Sequence, residues 1–414
     1  MNSPHSTEMN APRSEHLRAN DASPEAVRIR QHRIERLRAE LRKRDYAAGL
    51  FCDPVNIRYA TGSRNMQVWC QRNPARYVFV ATDGPTIMFE FSGCEHLTHG
   101  LETIQETRVA TGWFYFTAGP RVSERVARWA RELSDLLDTY GAGNRNLAVD
   151  RTNPEGYAAL TALGIKIQDG QEVAERARAI KSPDEISSMR AAIVGCERSL
   201  LGVQQALQPG ITENQLLAIL SEGNLAGGGE YLETRLLTAG PRTNPWYQES
   251  GDHAVANGDL LAVDTDMIGE SGFFTDMSRT FLCGDKKPTA EQRELYSLAY
   301  EQIQTNMALL KPGVSFREFS AASWFMPSRF AGNRYMSLIH GTGLSNEYPY
   351  VPYAEDFDAK GYDGIIEENM TLCVESYIGH NTGKEGVKLE EIVLVTANGP
   401  VPLTSYPFDA QLLA

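Results

Sequence analysis

Four short stretches of this chain carry carboxylates where the surrounding apolar residues predict a buried β-strand. They read AVDTD, FFTDMSRTF, TLCVESYI and VKLEEIVLV, and they contain Asp264, Asp266, Asp276, Glu375, Glu390 and Glu391. A carboxylate that is buried alone is costly and tends to take up a proton, so several that converge require a cation nearby. Any one of them could instead face water at a sheet edge or pair with Arg279 or Lys388. For the whole set, a shared cation site is the better explanation.

The stretch HGTGLSNEYP adds a single imidazole, that of His340, to this set. Five or six carboxylate oxygens with one imidazole nitrogen are the ligands that two bridged divalent metal ions require. We therefore expect two divalent ions. Such an oxygen-rich set suits iron, manganese or cobalt better than a thiolate-bound structural zinc, and nickel and zinc stay among the candidates. Asp264 and Asp266 lie two residues apart, so in a strand both would project from the same face into one site.

The bulk composition excludes several other classes of protein. The 414 residues suffice for two domains, and no apolar run approaches the ~18 residues of a membrane span. The net charge of −13 argues against a nucleic-acid partner, because phosphate binding needs a basic face. The first residues lack the apolar core of a signal peptide, and the six cysteines form no CxxC pair. We therefore expect a cytoplasmic protein with a small-molecule substrate and no membrane partner.

The first part of the chain predicts a flexible segment followed by an α/β domain. Residues 1–24 are polar and rich in Ser, Asn and Pro, which is typical of mobile termini. Ser23 before Pro24 is typical of a helix start. After this helix the apolar period changes, and AAGLFCDPV, YVFVATDGPTIMFEF and NLAVD predict short strands. We place this first domain at residues 25–172.

A second helix start, Ser182 followed by Pro183 and Glu185, lies near the beginning of the second domain, which we place at residues 173–414. The strands that follow read RLLTAGP, DLLAVDTDM, FFTDMSRTFLCG, MTLCVESYIG and VKLEEIVLVT. Their residues alternate between apolar and polar, so one face can be buried while the other carries ligands. The chain therefore predicts an α+β protein with the cation site in its second domain.

The order of these residues resembles that of the creatinase/methionine-aminopeptidase superfamily, which has the pita-bread fold. That pattern has a first Asp, a second Asp before an (S/T)RT tripeptide, an HGxG loop and two late Glu residues. It is matched here, in order, by Asp264, Asp276, His340, Glu375 and Glu390. In the family the Glu directly after an apolar residue is the ligand, which selects Glu390 over Glu391. The resemblance implies a creatinase-like N-terminal α/β domain, a C-terminal pita-bread catalytic domain with a binuclear metal site, and a homodimer.

Three departures from the peptidase pattern point to one branch of this superfamily. Where the peptidases have a histidine after a strand ending in Gly-Pro, AGPRTNPWYQESG carries Trp246, and where they have one before Glu-x-Pro, NEYP carries Asn346. Asp266 replaces the usual small residue two positions after the first ligand. The DTD triplet, the GPRTNPW stretch and Tyr335, five residues before His340, resemble the dimethylsulfoniopropionate (DMSP) lyases of the DddP type. Those lyases have an aspartate where this chain has Asn346.

A lyase of this type removes a proton next to the carboxylate of DMSP and expels dimethyl sulfide, which leaves acrylate. The resemblance implies that metals polarise the substrate carboxylate beside a base, and that aromatic faces hold the sulfonium cation. The predicted aromatic residues are Trp246, Tyr247, Tyr335 and Trp113. Asn346 can orient a substrate or a water, but an amide cannot take a proton. The base would then be a metal-bound hydroxide, Tyr335 with a pKa lowered by the metals, or Glu347.

Two other functions stay open at this point. A metallo-hydrolase, such as an Xaa-Pro dipeptidase, an aminopeptidase or an amidohydrolase, would use a hydroxide that bridges the metals. The missing accessory histidines speak against peptidase chemistry, because those groups position the substrate and stabilise the tetrahedral intermediate. A non-catalytic binding relative would keep the fold without metals, but it would gain nothing from unpaired buried charges. The sequence thus favours a metal-dependent lyase that acts on DMSP or a related small zwitterion.

Overall fold

The computed structural model describes residues 22–413, which divide into two compact units with the boundary between Arg178 and Ala179. The sequence places the boundary six residues earlier, after residue 172. The difference is the helix Gly170–Arg178, which packs within the first unit against the long helix that begins at Pro24. An amphipathic helix at a domain junction can join either side, and only packing decides which one.

The first unit begins, within the described part of the chain, with the predicted helix start. Ser23 is its N-cap, and the Ala26 N–H donates to the Ser23 hydroxyl oxygen at 3.0 Å. Residues 1–21 of the predicted flexible segment 1–24 lie outside the described residues. The helices of this unit are α1 Pro24–Lys43, α2 Pro54–Thr61, α3 Gln67–Arg72, α4 Tyr115–Ala118, α5 Val122–Tyr140, α6 Pro154–Ala162 and α7 Gly170–Arg178. Its strands are β1 Ala48–Phe51, β2 Tyr77–Ala81, β3 Thr86–Glu90, β4 Glu106–Val109, β5 Asn146–Val149 and β6 Lys166–Asp169.

These six strands form one mixed sheet in the order β4-β3-β2-β1-β5-β6. β1, β5 and β6 run parallel, whereas β2 is antiparallel to both β1 and β3. Helix α5 covers the sheet with one apolar stripe, in which Trp129, Leu133 and Leu137 recur at helical spacing and pack with Leu50 and Phe79. Burial of each of these side chains stabilises the unit by roughly 1.5–3 kcal/mol.

The second unit contains the other predicted strands and helices. Its helices are α8 Pro183–Ala206, α9 Glu213–Ala226, α10 Ala290–Ala308, α11 Phe316–Ala322, α12 Ser328–Ala331, α13 Ala354–Lys360 and α14 Ala410–Leu413. Its strands are β7 Tyr231–Leu232, β8 Leu237–Ala239, β9 Leu260–Asp264, β10 Met267–Ile268, β11 Phe274–Thr275, β12 Ser278–Leu282, β13 Ile339–Thr342, β14 Asn346–Val351, β15 Thr371–Gly379, β16 Gly386–Thr396 and β17 Gly399–Pro402. Helix α8 begins with the predicted capping box, in which the Ser182 side chain accepts from the Glu185 N–H and the Glu185 side chain accepts from the Ser182 N–H.

The strands of this unit form three antiparallel sheets, ordered β11-β10-β7, β12-β9-β8 and β14-β13-β15-β16-β17. The largest is built on the long β15–β16 hairpin, and helix α10 packs on it through Leu295, Ala299 and Ile303. Side-chain bonds connect β12 to the same hairpin, since Thr280 Oγ1 both donates to Lys388 O and accepts from the Lys388 N–H. The strands that carry the predicted ligands therefore converge.

Within residues 22–413, the structure contains no helix with the length and apolar character that crossing a membrane requires.

Candidate metal centre

The β15–β16 hairpin brings two of the predicted ligands face to face. Glu375 pairs directly with Glu390 in the strand register, and both side chains are fully buried. Glu391, the neighbour of Glu390, projects to the opposite face of the strand, where its carboxylate binds the Arg279 guanidinium. The structure thus places Glu390 with the other carboxylates and gives Glu391 its own partner.

Three aspartates come from the end of β9, the turn between β9 and β10, and the link between β11 and β12. Asp264 ends β9 and accepts a 2.8 Å hydrogen bond from Ser278 Oγ on β12. Asp266 has a φ of +37° and accepts from the Thr234 hydroxyl. Carboxylate oxygens of Asp264, Asp266 and Asp276 all lie within 4.8 Å of one another. The predicted route to this convergence is wrong, because the strand ends at Asp264 and a left-handed turn, rather than strand alternation, directs Asp266 into the site.

His340 on β13 faces the same carboxylates. Its Nε2 lies 3.1 Å from Glu375 Oε1, 3.6 Å from Asp276 Oδ2 and 3.7 Å from Glu390 Oε1. Its Nδ1 lies 3.1 Å from the main-chain oxygen of Gly341, to which it can donate a proton and so leave Nε2 free for a metal. Burial alone would lower the pKa of His340, but the Glu375 and Glu390 carboxylates raise it to about 9.

The glycines of HGTG give this loop its shape. A Cβ on Gly341 would lie 2.3 Å from the Tyr348 main-chain oxygen, and one on Gly343 would lie 2.5 Å from a Glu347 carboxylate oxygen. Both positions therefore require the close backbone approach that only glycine permits. Glu347 itself is held by Lys181 Nζ and by the Leu344 N–H, each at 2.8 Å, and so has a structural role in the loop.

One cation of the chain lies among these acids. Lys388, on β16, is fully buried, and its Nζ lies 2.7 Å from Glu375, 3.0 Å from Glu390 and 3.2 Å from Asp264. It also donates to Ser278 Oγ at 2.7 Å. The pairing with Lys388 that the sequence left open therefore exists, but one ammonium cannot neutralise the set. We call the set of Asp264, Asp266, Asp276, Glu375 and Glu390 the carboxylate cluster.

The carboxylate cluster retains the chemistry of a metal-binding site. Asp276 Oδ1 and Glu390 Oε1 are buried without a hydrogen-bond partner. Burial raises the pKa of Asp266 and of Asp276 well above the ordinary value, and the other carboxylates raise both further. With His340 neutral, as a metal ligand must be, the five carboxylates and one ammonium leave four negative charges, which two divalent cations would neutralise. The donor set therefore fits divalent cations, and Asp276 belongs to both groups of possible ligand atoms.

Cys373 is a residue of this centre that the sequence analysis missed. Its sulfur, a carboxylate oxygen of Asp276, one of Glu390 and a ring nitrogen of His340 lie within 4.8 Å of one another. The signal was present in the sequence, because Cys373 precedes Glu375 by two residues on one strand and must share its face. Burial raises the pKa of the Cys373 thiol well above its usual value, and the carboxylates of Glu390 and Asp276 raise it further.

Three of the four predicted aromatic residues lie together, and we call Trp246, Tyr247 and Tyr335 the aromatic wall. The rings of Tyr247 and Tyr335 stack with centroids 5.4 Å apart, and Lys388 Nζ lies 4.7 Å from the Tyr335 ring centroid. Trp246 is buried, stacks on Tyr377 at 5.9 Å and packs in one cluster with Tyr335. Burial raises the pKa of Tyr335 well above its ordinary value, and the Glu375 and Asp264 carboxylates raise it further. Tyr335 thus holds its proton while these acids are uncompensated.

The other two predicted site residues have different surroundings. Trp113 belongs to the hydrophobic core of the first unit, where it packs against Trp129 at 5.1 Å; its part in a substrate site stays a prediction. Asn346 is exposed at the start of β14, opposite Thr342. An exposed amide at this position can orient a ligand but takes no proton.

Profiles of two protein families match the chain. That of the metallopeptidase family M24 matches residues 187–397, and that of the creatinase/prolidase N-terminal domain matches residues 33–180. The dimethylsulfoniopropionate lyase DddP of Roseovarius nubinhibens is 40% identical over 397 residues, which cover 95% of this chain and 89% of that protein. The protein of the same description from Roseobacter denitrificans is 40% identical over 395 residues, which cover 94% of this chain and 88% of its own length.

Solved structures of peptidases share the fold. The Xaa-Pro dipeptidase from Bacillus anthracis superposes with a TM-score of 0.73 at 19% identity, covering 92% of this chain and 98% of that one. The prolidase from Pyrococcus horikoshii superposes with a TM-score of 0.72 at 18% identity, covering 91% and 99%. At such identity the likeness concerns the fold alone. The predicted fold, a creatinase-like N-terminal domain followed by a pita-bread domain, is confirmed, and so is the predicted superfamily.

Proposed function

Because this chain belongs to the metallopeptidase family M24 and buries a carboxylate cluster beside an aromatic wall, we propose that it is a metal-dependent carbon–sulfur lyase. Its substrate would be DMSP, or a related small zwitterion, and its products acrylate and dimethyl sulfide. The observation that carries the proposal is the juxtaposition of the two features, since Lys388 contacts both the carboxylates and the Tyr335 ring. A zwitterion with a carboxylate and a sulfonium group needs both a cation centre and aromatic faces.

The similarity to DMSP lyases over 95% of this chain supports the same substrate. The solved peptidases support the fold but not their own chemistry, because the two positions where peptidases carry histidines hold Trp246 and Asn346 here. An indole in place of an imidazole removes a group that titrates near neutral pH and adds an aromatic face for a cation. A hydrolase is the alternative that the experiment below tests.

Two divalent ions would be held by the carboxylate cluster and His340, with Asp276 shared between them. The charge balance supports two ions rather than one, since one would leave two negative charges uncompensated in a dry interior. Iron, manganese, cobalt, nickel and zinc all accept this donor set. When bound, the ions polarise the carboxylate of the substrate and so acidify the carbon next to it.

The aromatic wall would bind the sulfonium group, at about 0.5–2 kcal/mol for each ring face that it meets. Lys388 already lies over one face of Tyr335, so Trp246 and Tyr247 would supply the larger share. In the elimination the base takes the proton from the acidified carbon, the electron pair becomes the new double bond, and the carbon–sulfur bond breaks to release dimethyl sulfide.

We propose Tyr335 Oη as the group that takes this proton. Burial is the larger cause of its raised pKa and would remain, whereas the carboxylates that raise the pKa further are cluster members, so cations would remove their contribution. Glu347 is the weaker candidate, because Lys181 and the Leu344 N–H engage its carboxylate oxygens. Asn346 would orient the substrate or a water by hydrogen bonding.

The experiment is to load the protein with each candidate metal and incubate it with DMSP while dimethyl sulfide and acrylate are measured. We expect both products in equal amounts and no turnover after chelation. An Xaa-Pro dipeptide serves as the comparison substrate. No dimethyl sulfide above background at any pH, with release of proline from the dipeptide, would replace the lyase by the hydrolase.

We further propose a cytoplasmic homodimer. The six cysteines are all free thiols, which is typical of reducing compartments. In the first unit, Tyr115 and Phe116 are 74% and 75% exposed, and Phe116 lies beside Trp69. Exposed aromatic patches of this kind mark protein–protein contacts. Sedimentation velocity of the wild type and of Phe116→Asp would test this, because a dimer formed through this patch should dissociate in the variant.

A further inference from the structure

The two segments that carry the aromatic wall are tied to each other through asparagine side chains. Asn244 precedes Trp246 by two residues, and Asn333 precedes Tyr335 by two residues. Asn333 Nδ2 donates a 3.0 Å hydrogen bond to Asn244 Oδ1. The segments are far apart in the chain, and this bond joins them close in sequence to Tyr247 and Tyr335, whose rings stack.

Asn244 also ties these segments to the metal-binding hairpin. Its Nδ2 donates to the main-chain oxygens of His380, at 2.9 Å, and Gly383, at 3.0 Å, in the turn between β15 and β16. Its Oδ1 lies 2.9 Å from the Tyr377 hydroxyl, on the same strand as Glu375. Both N–H donors of this amide are used, and its oxygen accepts from Asn333 and shares the Tyr377 hydroxyl proton with the Thr243 main-chain oxygen. The two carbonyl acceptors require the NH₂ group on their side, so the orientation of the amide is determined.

The fold leaves space for this side chain at the end of the hairpin. Gly379 and Gly386 pair across β15 and β16. A Cβ on Gly379 would lie 2.7 Å from Asn244 Oδ1, and one on Gly386 would lie 2.2 Å from the Tyr377 hydroxyl oxygen. Asn244 itself is 7% exposed, and loss of its side chain would remove the donor to the Gly383 main-chain oxygen and one of the two donors to that of His380.

The wall needs such an anchor because part of it is strained. Tyr247 has a φ of +70°, a left-handed conformation that a bulky L-residue adopts only at a cost of order 1–3 kcal/mol. Its side chain is also 44% exposed, so burial alone does not hold it in place. The hydrogen bonds of Asn244, three residues earlier, restrain the segment that carries this strain.

We infer that Asn244 is a positioning residue, which sets the place of the aromatic wall relative to the carboxylate cluster and thereby the preference for a cationic substrate. The inference rests on the proposed function, because it assigns the wall to the sulfonium group. It predicts that Asn244 acts on the discrimination between a sulfonium ligand and a neutral ligand of the same shape. A residue with a merely structural role would change stability without changing that discrimination.

The test uses the metal-loaded full chain with the variants Asn244→Ala and Asn244→Asp. Asp keeps the size and the acceptor but cannot donate to the two carbonyls. For each protein, the KM for DMSP is compared with the inhibition constant of 4-methylpentanoate, which has the same shape with a neutral CH group in place of the sulfonium. We expect the preference for DMSP to fall about tenfold in both variants, the difference that a cation–aromatic contact of ~1.4 kcal/mol provides. The kcat should change less than KM, and the bound metal should stay constant.

Asn257→Ala is the control, since the side chain of this asparagine of the same unit bonds to Asp285 and Lys286, which belong to neither segment of the wall. It should keep the wild-type preference. Tyr377→Phe removes one bond to Asn244 and should shift the preference in the same direction by a smaller factor, which keeps the test valid if the Asn244 variants do not fold. A preference for DMSP that is unchanged in Asn244→Ala, Asn244→Asp and Tyr377→Phe would overturn the inference. A wild type without any preference for DMSP over 4-methylpentanoate would instead overturn the proposed function.

Discussion

The two units bury charge in opposite ways. In the first unit, Arg76 and Glu90 are both fully buried, and Arg76 Nε donates to Glu90 Oε1 at 2.9 Å. Glu90 also accepts from the Asn65 side chain at 3.3 Å, and the Arg76 guanidinium donates to Ser63 Oγ at 2.7 Å. In the second unit, the carboxylate cluster is buried to the same degree, but five acids face the single ammonium of Lys388.

The Arg76–Glu90 pair and the carboxylate cluster are thus both buried, and they differ in whether their charges cancel. A pair whose charges cancel needs nothing from outside the chain, so it is a structural element. A cluster with excess negative charge is costly until cations enter, so it is a binding site that the rest of the fold must support. Removal of one carboxylate should therefore have opposite effects on stability in the two units.

The largest effect is expected from Asp276→Asn in the carboxylate cluster. The change removes the ligand that the two proposed metal positions share, so metal binding and turnover of DMSP should fall to the detection limit. Stability of the chelated protein should rise by roughly 1 kcal/mol, because one repulsive buried charge is gone and each pKa unit of such repulsion corresponds to ~1.4 kcal/mol. Metal analysis and thermal unfolding measure both effects. The exposed Asp135→Asn is the control, and a destabilised chelated Asp276→Asn protein would contradict the comparison.

Glu90→Gln in the first unit should destabilise the protein by about 3–5 kcal/mol, because it leaves the Arg76 guanidinium buried without its counter-charge. Metal content per folded molecule should stay that of the wild type. Denaturant unfolding with the change in the first unit followed by Trp129 fluorescence measures the loss. The double variant Arg76→Met, Glu90→Leu should recover most of it, and a Glu90→Gln protein of wild-type stability would remove the distinction between the units.

A change of pH should have a smaller effect on the stability of the chelated protein. Asp266 and Asp276 have folded-state pKa values above those of the unfolded chain, and so has His340, at about 9. Groups of this kind stabilise the fold below their unfolded pKa values, and that contribution is lost as pH rises through their folded pKa values. The Tm of the chelated protein should therefore fall between pH 5 and 9, by roughly 2–4 °C for each kcal/mol lost.

Bound metals should flatten this profile, because the carboxylates and His340 then stay deprotonated throughout the range. Differential scanning calorimetry of chelated and loaded samples provides the measurement. In the chelated Asp276→Asn variant the slope should be reduced. A Tm that rises with pH in the chelated wild type would show that the carboxylates of the cluster do not repel one another in the folded protein.

Much of this architecture could be predicted from the sequence, because its signals are local. Ser23 and Ser182 mark helix starts through their own hydroxyl groups, and the structure confirms both. Apolar runs interrupted by acids predicted the strands around Asp264 and Glu375. The family resemblance added the ligand order, which spacing alone could not supply.

Other features could not be predicted, because they depend on contacts between distant segments. The turn at Asp266 follows from its left-handed backbone, which a strand pattern does not reveal. Cys373 has a local signal, its spacing of two residues from Glu375, but a buried cysteine in an apolar strand is ordinarily a core residue, so only the contacts in the fold assign it to the centre. The bonds of Asn244 join segments separated by 89 and 136 residues, and no local pattern indicates them.

The sequence by itself determined which acids are present, in which order they occur and that Glu375 and Glu390 lie on strands, because alternation along a strand is a property of the covalent chain. Tertiary structure decided which of them meet. The register that pairs Glu375 with Glu390, and the packing that directs Glu391 to Arg279, depend on free energies summed over the whole second unit. The placement of Lys388 among the acids also depends on the whole unit, since a buried ammonium is stable only where several carboxylates converge around it.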